Sequence, residues 1–353
     1  MQRRSLLLAA GAAAALPFIG RPVWAQAGNV TGAGSSLTRR VMQKWAEMAG
    51  PGASLRVAYE GNGSTEGLER VKQRTVDFAN VDFAQRSALV RENQLIQFPV
   101  VIAGVVPFVN LPGVADGQIR LTGELLADIY LGKVTKWNDA KIKAHNSGVQ
   151  LPDLAVLPVH SPRSSGTTML FTTYLARASE AWAAGPRAGA VVQWPANVGA
   201  SVGGQDDLIA KMKGTPGAIG YGSVGRAKEH KFASVSLRNR AGEFIKPDAA
   251  SFAKAGEGAD WNATGFAVDM VDGETGGAWP ICGASFVLVP ENPTAEKVEA
   301  ARHTLKFFHW ALKNGAGVAN ELENPPVPQG VHARIMEAWR RAKDPSGRPI
   351  WEA

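Results

Sequence analysis

The sequence of 353 residues has a single cysteine, Cys282, so it cannot form a disulfide within one chain. A lone cysteine of this kind is expected to be a buried apolar side chain. The six histidines show no spacing typical of a metal site. We therefore expect neither a metal nor a cofactor.

A long membrane-spanning run is also missing. The apolar stretch at residues 5–19 is too short to cross a bilayer. It follows a basic start and precedes a small-residue cleavage site, which predicts a signal peptide over residues 1–27. The pair Arg3-Arg4 leaves both the twin-arginine and the general secretory route open. A lipid anchor is disfavoured because no cysteine lies near the cleavage site, so we expect a soluble periplasmic product.

Strong charge of one sign is absent too. Without residues 1–27 the chain keeps 35 basic and 31 acidic residues, a balance of +4. The densest basic group, Arg340, Arg341 and Lys343, falls at the predicted end of the last helix, where cations complement the helix dipole. This distribution argues against nucleic acid as a partner.

Short apolar strands alternate with amphipathic helices, the pattern of an α/β fold. Strands are predicted over residues 29–32, 54–59, 77–80, 100–110, 154–159, 191–194, 218–221 and 284–289. Helices are predicted over residues 37–49, 65–74, 122–131, 167–176, 206–213, 295–314 and 330–341. No internal repeat follows the signal peptide.

The apolar segment 97–110 is long for one strand and is interrupted by Gly104 and Pro107, so we expect it to pass from one sheet to another. Residues 284–290 offer a second passage. Two crossings predict one lobe from residues 28–105 and 285–353, and another from residues 106–284. A cleft between two lobes lets loops from both converge on a ligand. One large sheet is the alternative.

Four segments offer hydroxyls or glycine-lined backbone suited to a tetrahedral anion: residues 32–37, 61–65, 76–82 and 163–168. Three of them lead into predicted helices, whose first N–H groups and positive dipole end attract anions. No catalytic set accompanies them. Together they indicate a protein that binds an oxyanion and carries it.

These segments, with several others in the same order, resemble the periplasmic substrate-binding family of phosphate-specific ABC transporters. The matching motifs lie at residues 31–34, 61–64, 75–78, 97–101, 128–133, 165–167, 216–221, 258–261 and 305–310. The resemblance implies a two-lobed periplasmic binding protein of type II, with two hinge crossovers and a mixed or parallel sheet flanked by helices in each lobe. It also implies inorganic phosphate as ligand, permease and ATPase subunits as partners, and a monomer.

In that family the anion is held without metal by amides, hydroxyls, one arginine and one carboxylate. Matched by motif, the resemblance assigns the following groups to phosphate: Ser36, the backbone of Leu37, Ser64, Asp82, Ser165, Gly166 and Thr167. An ionised Asp82 can only accept hydrogen bonds, so it favours an oxyanion that carries a proton. Phosphate is protonated near neutral pH and sulfate is not. The alternative for Asp82 is a loop-capping role.

The fourth segment departs from the family pattern of Arg, one residue, Asp, Gly, Ser, Gly, Thr. Ser161 stands at the arginine position and Arg163 at the aspartate position. Residues two apart in extended backbone project to the same side, so our hypothesis is that Arg163 replaces the family arginine. The alternative is a surface arginine. The change, together with Glu66 at a position where glycine is common, leaves arsenate, a phosphonate or sulfate open as ligands.

An enzyme of another class is the remaining alternative. Ser165 and His160 suggest a secreted serine esterase or phosphatase. The sequence around Ser165 lacks the Gly-x-Ser-x-Gly turn, and no third orienting group is evident. We therefore predict a binding protein and not an enzyme.

Overall fold

The computed structural model describes residues 28–352, so the predicted signal peptide over 1–27 lies outside the described residues. The strands are β1 Gly28–Gly34, β2 Leu55–Glu60, β3 Phe78–Val81, β4 Leu95–Gly104, β5 Val106–Val109, β6 Arg120–Leu121, β7 Leu157–His160, β8 Ala200–Ser201, β9 Ala218–Gly222, β10 Ala233–Ser234, β11 Ser236–Arg238, β12 Phe244–Ile245 and β13 Cys282–Pro290. The helices are α1 Arg39–Ala53, α2 Ser64–Lys72, α3 Ser87–Glu92, α4 Gly123–Tyr130, α5 Ala140–Lys143, α6 Gly166–Ala178, α7 Glu180–Ala184, α8 Gln205–Lys213, α9 Val224–Glu229, α10 Ala249–Glu257, α11 Val298–Asn314, α12 Ala316–Glu321 and α13 His332–Trp339.

The first sheet has the strand order β2-β1-β3-β13-β4. Strand β1 is parallel to both β2 and β3, whereas β13 is antiparallel to β3 and β4. Every residue of β4 and β13 is buried. Helices cover both faces of the sheet, which is why these two strands are near-continuous apolar runs.

The second sheet has the order β10-β5-β9-β7-β8. Strand β7 is parallel to both of its neighbours, β8 and β9, and β5 is antiparallel to β9 and β10. A small third sheet has the order β12-β11-β6, and its strands also fall between β5 and β13 in the chain. We call the elements around the first sheet lobe I and those around the second sheet lobe II.

The chain leaves the lobe I sheet at Val105, between β4 and β5, and rejoins that sheet at the start of β13, after α10 has already packed Phe252 against Gly104 of β4. The two passages lie side by side, because the Val105 N–H donates to the Ile281 carbonyl at 2.8 Å and Cys282 pairs with Gly104. The two-lobed α/β fold with two crossovers is confirmed, and the alternative of one large sheet is wrong. The lobe limits 28–105 with 285–353 and 106–284 stay a prediction.

Aromatic side chains form the centre of each lobe. In lobe I, Phe308 of α11 meets Phe78 edge-on at a centroid distance of 5.0 Å and Phe98 at 5.5 Å. In lobe II, the rings of Phe171 and Tyr221 stack at 4.1 Å. Cys282 is buried, as predicted, and burial raises the pKa of its thiol. These contacts hold α11 and α6 against their sheets.

One strand prediction was wrong. Residues 191–194 form no strand, since Trp194 turns inward to stack on His160 at 4.3 Å and Val191 is left exposed. The edge strand is β8 instead. Residues 100–110 are divided between β4 of the first sheet and β5 of the second, which confirms the expected passage from one sheet to another. Within residues 28–352, no helix combines the length and the apolar character that spanning a bilayer requires.

Candidate anion-binding site

Lobe I presents the carboxyl ends of three parallel strands. From β1 the chain continues to β2 on one side, and from β3 it continues to β4 on the other side. Open α/β sheets bind ligands at such a point, where the strand order reverses. Gly34 ends β1 with φ of 143°, and a Cβ built there would lie 1.9 Å from the Asn80 carbonyl oxygen. Glycine at this position therefore lets β1 and β3 approach closely at the site.

Asp82 follows β3 and is only 2% exposed. The Ser35 hydroxyl donates to its Oδ1, and the Ser64 hydroxyl donates to its Oδ2 at 3.0 Å. Burial raises the pKa of Asp82 to about 6, although both hydroxyl hydrogen bonds act in the opposite direction. Asp82 is thus a desolvated carboxyl group whose protonation state can change near neutral pH.

Ser35 was not among the predicted site residues, yet it is fully buried in contact with Asp82. Its Oγ also accepts the N–H groups of Leu37 at 3.0 Å and Thr38 at 3.3 Å. Ser36, which the motif match selected, is half-buried. The sequence indicated Ser35 only as one of two adjacent hydroxyl residues, Ser35 and Ser36. Sequence alone could not say which of the two faces Asp82.

A polar network behind Asp82 fixes the first and third loops. The Tyr59 hydroxyl donates to the Ser35 carbonyl at 2.9 Å, and the Thr38 hydroxyl donates to Asn80 Oδ1 at 2.5 Å. Asn80 in turn donates from Nδ2 to the Ser285 hydroxyl at 2.7 Å. Strands β1, β2, β3 and β13 therefore share one set of hydrogen bonds that holds the site rigid.

Lobe II contributes the start of α6, a helix of 13 residues. Ser165 caps it by accepting the Thr168 N–H at 3.4 Å, and Thr167 is 2% exposed. A Cβ built on Gly166 would lie 2.6 Å from both Asp82 Oδ2 and Ser64 Oγ. The first turn of α6, with its free N–H groups and positive dipole end, therefore meets the lobe I residues directly.

A second contact joins the lobes beside this one. The hydroxyl oxygens of Thr65 and Ser164 lie 2.7 Å apart. The structure thus brings together Ser64, Asp82 and Gly166, with Ser165 and Thr167 in the same turn as Gly166. All of them lie where the carboxyl edges of the two sheets face each other.

Arg163 lies apart from these contacts. The residue is exposed, its backbone N–H donates to Ser161 Oγ at 3.2 Å, and its guanidinium has no ion pair within the described residues. Ser161, at the position of the family arginine, is 9% exposed. The replacement of that arginine by Arg163 stays a prediction, and the position of Arg163 favours the alternative of a surface side chain.

His160 and Ser165 have separate roles in the structure. The His160 ring stacks on Trp194, its Nε2 lies 3.4 Å from the Val198 carbonyl oxygen, and burial lowers the pKa of its imidazole. Ser165 uses its hydroxyl oxygen as the α6 cap. The described residues hold no group of three or more His, Cys, Asp or Glu side chains that could bind a metal.

Two lobes joined by two crossovers, with a polar site between them, define a periplasmic binding protein. Residues 21–314 match the PBP superfamily domain accordingly. The chain belongs to the PstS family of phosphate-binding proteins. It is 37% identical over 354 residues to "Phosphate-binding protein PstS" of Pasteurella multocida, covering 100% of both chains. It is 36% identical over 323 residues to PstS of Haemophilus influenzae, covering 91% of this chain and 96% of the relative.

Solved structures give the same fold at lower identity. A high-affinity periplasmic phosphate-binding protein solved with phosphate superposes with a TM-score of 0.68 at 19% identity, covering 88% of this chain and 93% of the other. The phosphate-binding protein of Stenotrophomonas maltophilia superposes with a TM-score of 0.64 at 17% identity, with the same coverage. At these identities the similarity establishes the two-lobed fold.

Proposed function

We propose that this protein binds inorganic phosphate in the periplasm and delivers it to the permease of an ABC transporter, whose ATPase subunits supply the energy. The observation that carries the proposal is the meeting of Asp82 and Ser64 of lobe I with the first turn of α6 at Gly166. A helix start and hydroxyls donate to phosphate oxygens, and Asp82 accepts the proton that phosphate retains. The names of the PstS relatives support the same ligand.

The proposed mechanism is a capture cycle between the two lobes, taken as residues 28–105 with 285–353 and residues 106–284. Open lobes admit the anion, groups from both lobes bind it, and closure excludes water from the polar contacts. The ligand groups we propose are Ser36, the Leu37 amide, Ser64, Asp82, Ser165, Gly166 and Thr167. The protein acts as an exported monomer after removal of residues 1–27 and performs no chemistry itself.

Isothermal titration of ligand-stripped protein with phosphate, sulfate and arsenate tests the ligand. We expect heat with phosphate, competition by arsenate, and at least about ten-fold weaker binding of sulfate, because an unprotonated lone pair facing Asp82 costs about 1–3 kcal/mol. Stronger binding of sulfate than of phosphate would contradict the proposal. Turnover of a chromogenic phosphate ester that disappears in Ser165→Ala would replace it by the enzyme alternative.

A further inference from the structure

Arg226 of α9 is a buried guanidinium with unused donors. The residue is 7% exposed, and its Nη2 donates to Asp206 Oδ1. Its Nε and Nη1 are buried and have no hydrogen-bond partner among the described residues. The one carboxylate that it contacts belongs to a side chain that is 76% exposed. Buried donors without acceptors are unfavourable, and native proteins normally satisfy them. The two nitrogens therefore indicate an acceptor that the protein itself does not provide.

The topology of lobe II places the loop that leads to Arg226 at the same sheet edge as the proposed phosphate site. Strands β7 and β9 are parallel neighbours, so the loops after them start at the same edge of the sheet. The chain leaves β7 towards β8 on one side and leaves β9 towards β10 on the other, which makes this pair the switch point where such sheets bind ligands. The loop at residues 161–167 follows β7, and Ser223 to Arg226 follow β9. Tyr221 connects the two, because its hydroxyl lies 2.9 Å from Thr168 Oγ1.

Lobe I faces Arg226 with two further arginines at the start of α1. A Cβ built on Gly225 would lie 2.7 Å from Arg40 Nη1, so the Arg40 side chain lies on the first turn of α9. Arg39 follows the anion-binding loop at residues 35–38 and packs along Gly61. Its charge acts on Asp206 across the cleft. Arg226 and Arg39 thus act on one exposed carboxylate, and Arg40 adds a third positive charge on the first turn of α9, so the cleft at this point favours an anion.

We propose that Arg226 is the arginine that binds the anion in this protein, with Nε and Nη1 as the donors and Asp206 fixing its orientation. It takes the part that the family resemblance gives to an arginine at position 161, where this chain has Ser161. The inference rests on the proposed phosphate function and names a residue of the same site. Arg163, which is exposed and has no ion pair within the described residues, is not part of this proposal.

The test compares Arg226→Met with Lys211→Met, which removes the same charge from the exposed face of α8, the helix that carries Asp206. We expect Arg226→Met to weaken phosphate binding at least about ten-fold in isothermal titration, because a charge-assisted hydrogen bond is lost. Lys211→Met stays within about two-fold of the unaltered protein. The unfolding midpoint of ligand-free Arg226→Met is unchanged or higher, since a buried charge with unused donors has been removed.

Arg226→Lys keeps the charge but not the separate Nε and Nη1 donors, so its phosphate affinity falls several-fold. This variant also serves if Arg226→Met fails to fold, because unchanged affinity in Arg226→Lys overturns the proposal. Phosphate affinity in Arg226→Met equal to that of the unaltered protein overturns it as well. If the unaltered protein gives no heat with phosphate, the proposed function fails first and this inference fails with it.

Discussion

Thr65 and Ser164 belong to different lobes, yet their hydroxyl oxygens are 2.7 Å apart. Thr65 lies in the first turn of α2, and Ser164 lies in the loop that leads into α6. The contact closes one side of the cleft next to Ser64 and Gly166. It therefore offers a place to control the relative position of the lobes without changing the groups assigned to the anion.

A disulfide at this contact should trap the ligand. In Thr65→Cys/Ser164→Cys, oxidation with phosphate present is expected to slow phosphate release at least about ten-fold, because the covalent bond keeps the lobes from separating and release requires opening. Exchange of labelled phosphate measures the rate, and a reductant should restore it. Each single-cysteine variant is the control, and the native Cys282 is buried. Equal release rates in the oxidised and reduced double variant would contradict closure at this contact.

Asp82→Asn should reduce the discrimination between phosphate and sulfate. The amide can donate to an unprotonated oxygen, so we expect sulfate affinity to rise about ten-fold while phosphate affinity falls. Titration with both anions measures the ratio. Asp77→Asn is the matched control, because it removes another buried carboxylate of lobe I that instead accepts from the Thr31 backbone and hydroxyl. A selectivity ratio unchanged by Asp82→Asn would show that Asp82 does not select the ligand.

Ser35→Ala should change how stability depends on pH. Because the pKa of Asp82 is raised from 3.8 to about 6 by burial, the folded state holds more protons than the unfolded state between these values. The free energy of unfolding of the ligand-free protein therefore falls as the pH rises through this window. Ser35→Ala removes a donor to the ionised form, so it raises the pKa of Asp82 further.

We expect Ser35→Ala to lower the free energy of unfolding by about 1–3 kcal/mol at pH 8, and by less at pH 4, where Asp82 is largely protonated. Urea unfolding at both pH values measures the difference. Ser36→Ala is the control for loss of a neighbouring hydroxyl and should change stability equally at both pH values. An equal loss at pH 4 and pH 8 in Ser35→Ala would mean that Ser35 acts only as a loop cap.

Gly166→Ala should separate folding from closure. The added Cβ would lie 2.6 Å from Asp82 Oδ2 and Ser64 Oγ, so the lobes cannot meet as they do here. Phosphate affinity is expected to fall about ten-fold or more. The ligand-free free energy of unfolding should stay equal or rise by up to about 1 kcal/mol, since alanine is favourable in a helix. Gly204→Ala, ahead of α8 with nothing near its Cβ position, is the control. Unchanged affinity in Gly166→Ala would contradict the closed arrangement.

The sequence allowed the α/β class, the two crossovers and most long elements to be predicted, because helical and strand periodicities and the long apolar segment at 97–110 are local signals. The strand predicted at residues 191–194 is wrong, because an apolar run does not reveal that Trp194 packs on His160. At the site, Ser64 and Gly166 could be paired with Asp82 through the motifs. Ser35 could not, since facing Asp82 depends on backbone direction. The role proposed for Arg226 could not be predicted either, since it depends on the order of β7 and β9, which no local pattern encodes.

Where the chain passes between the lobes, the Val105 N–H donates to the Ile281 carbonyl, directly beyond the Gly104–Cys282 pair that ends the β4–β13 ladder of lobe I. The two passages are therefore joined to each other and anchored in one sheet, and they are not independent tethers. A movement that shears one passage past the other would break this hydrogen bond. We expect one rotation axis, so that closure brings α6 back to the same position over Asp82.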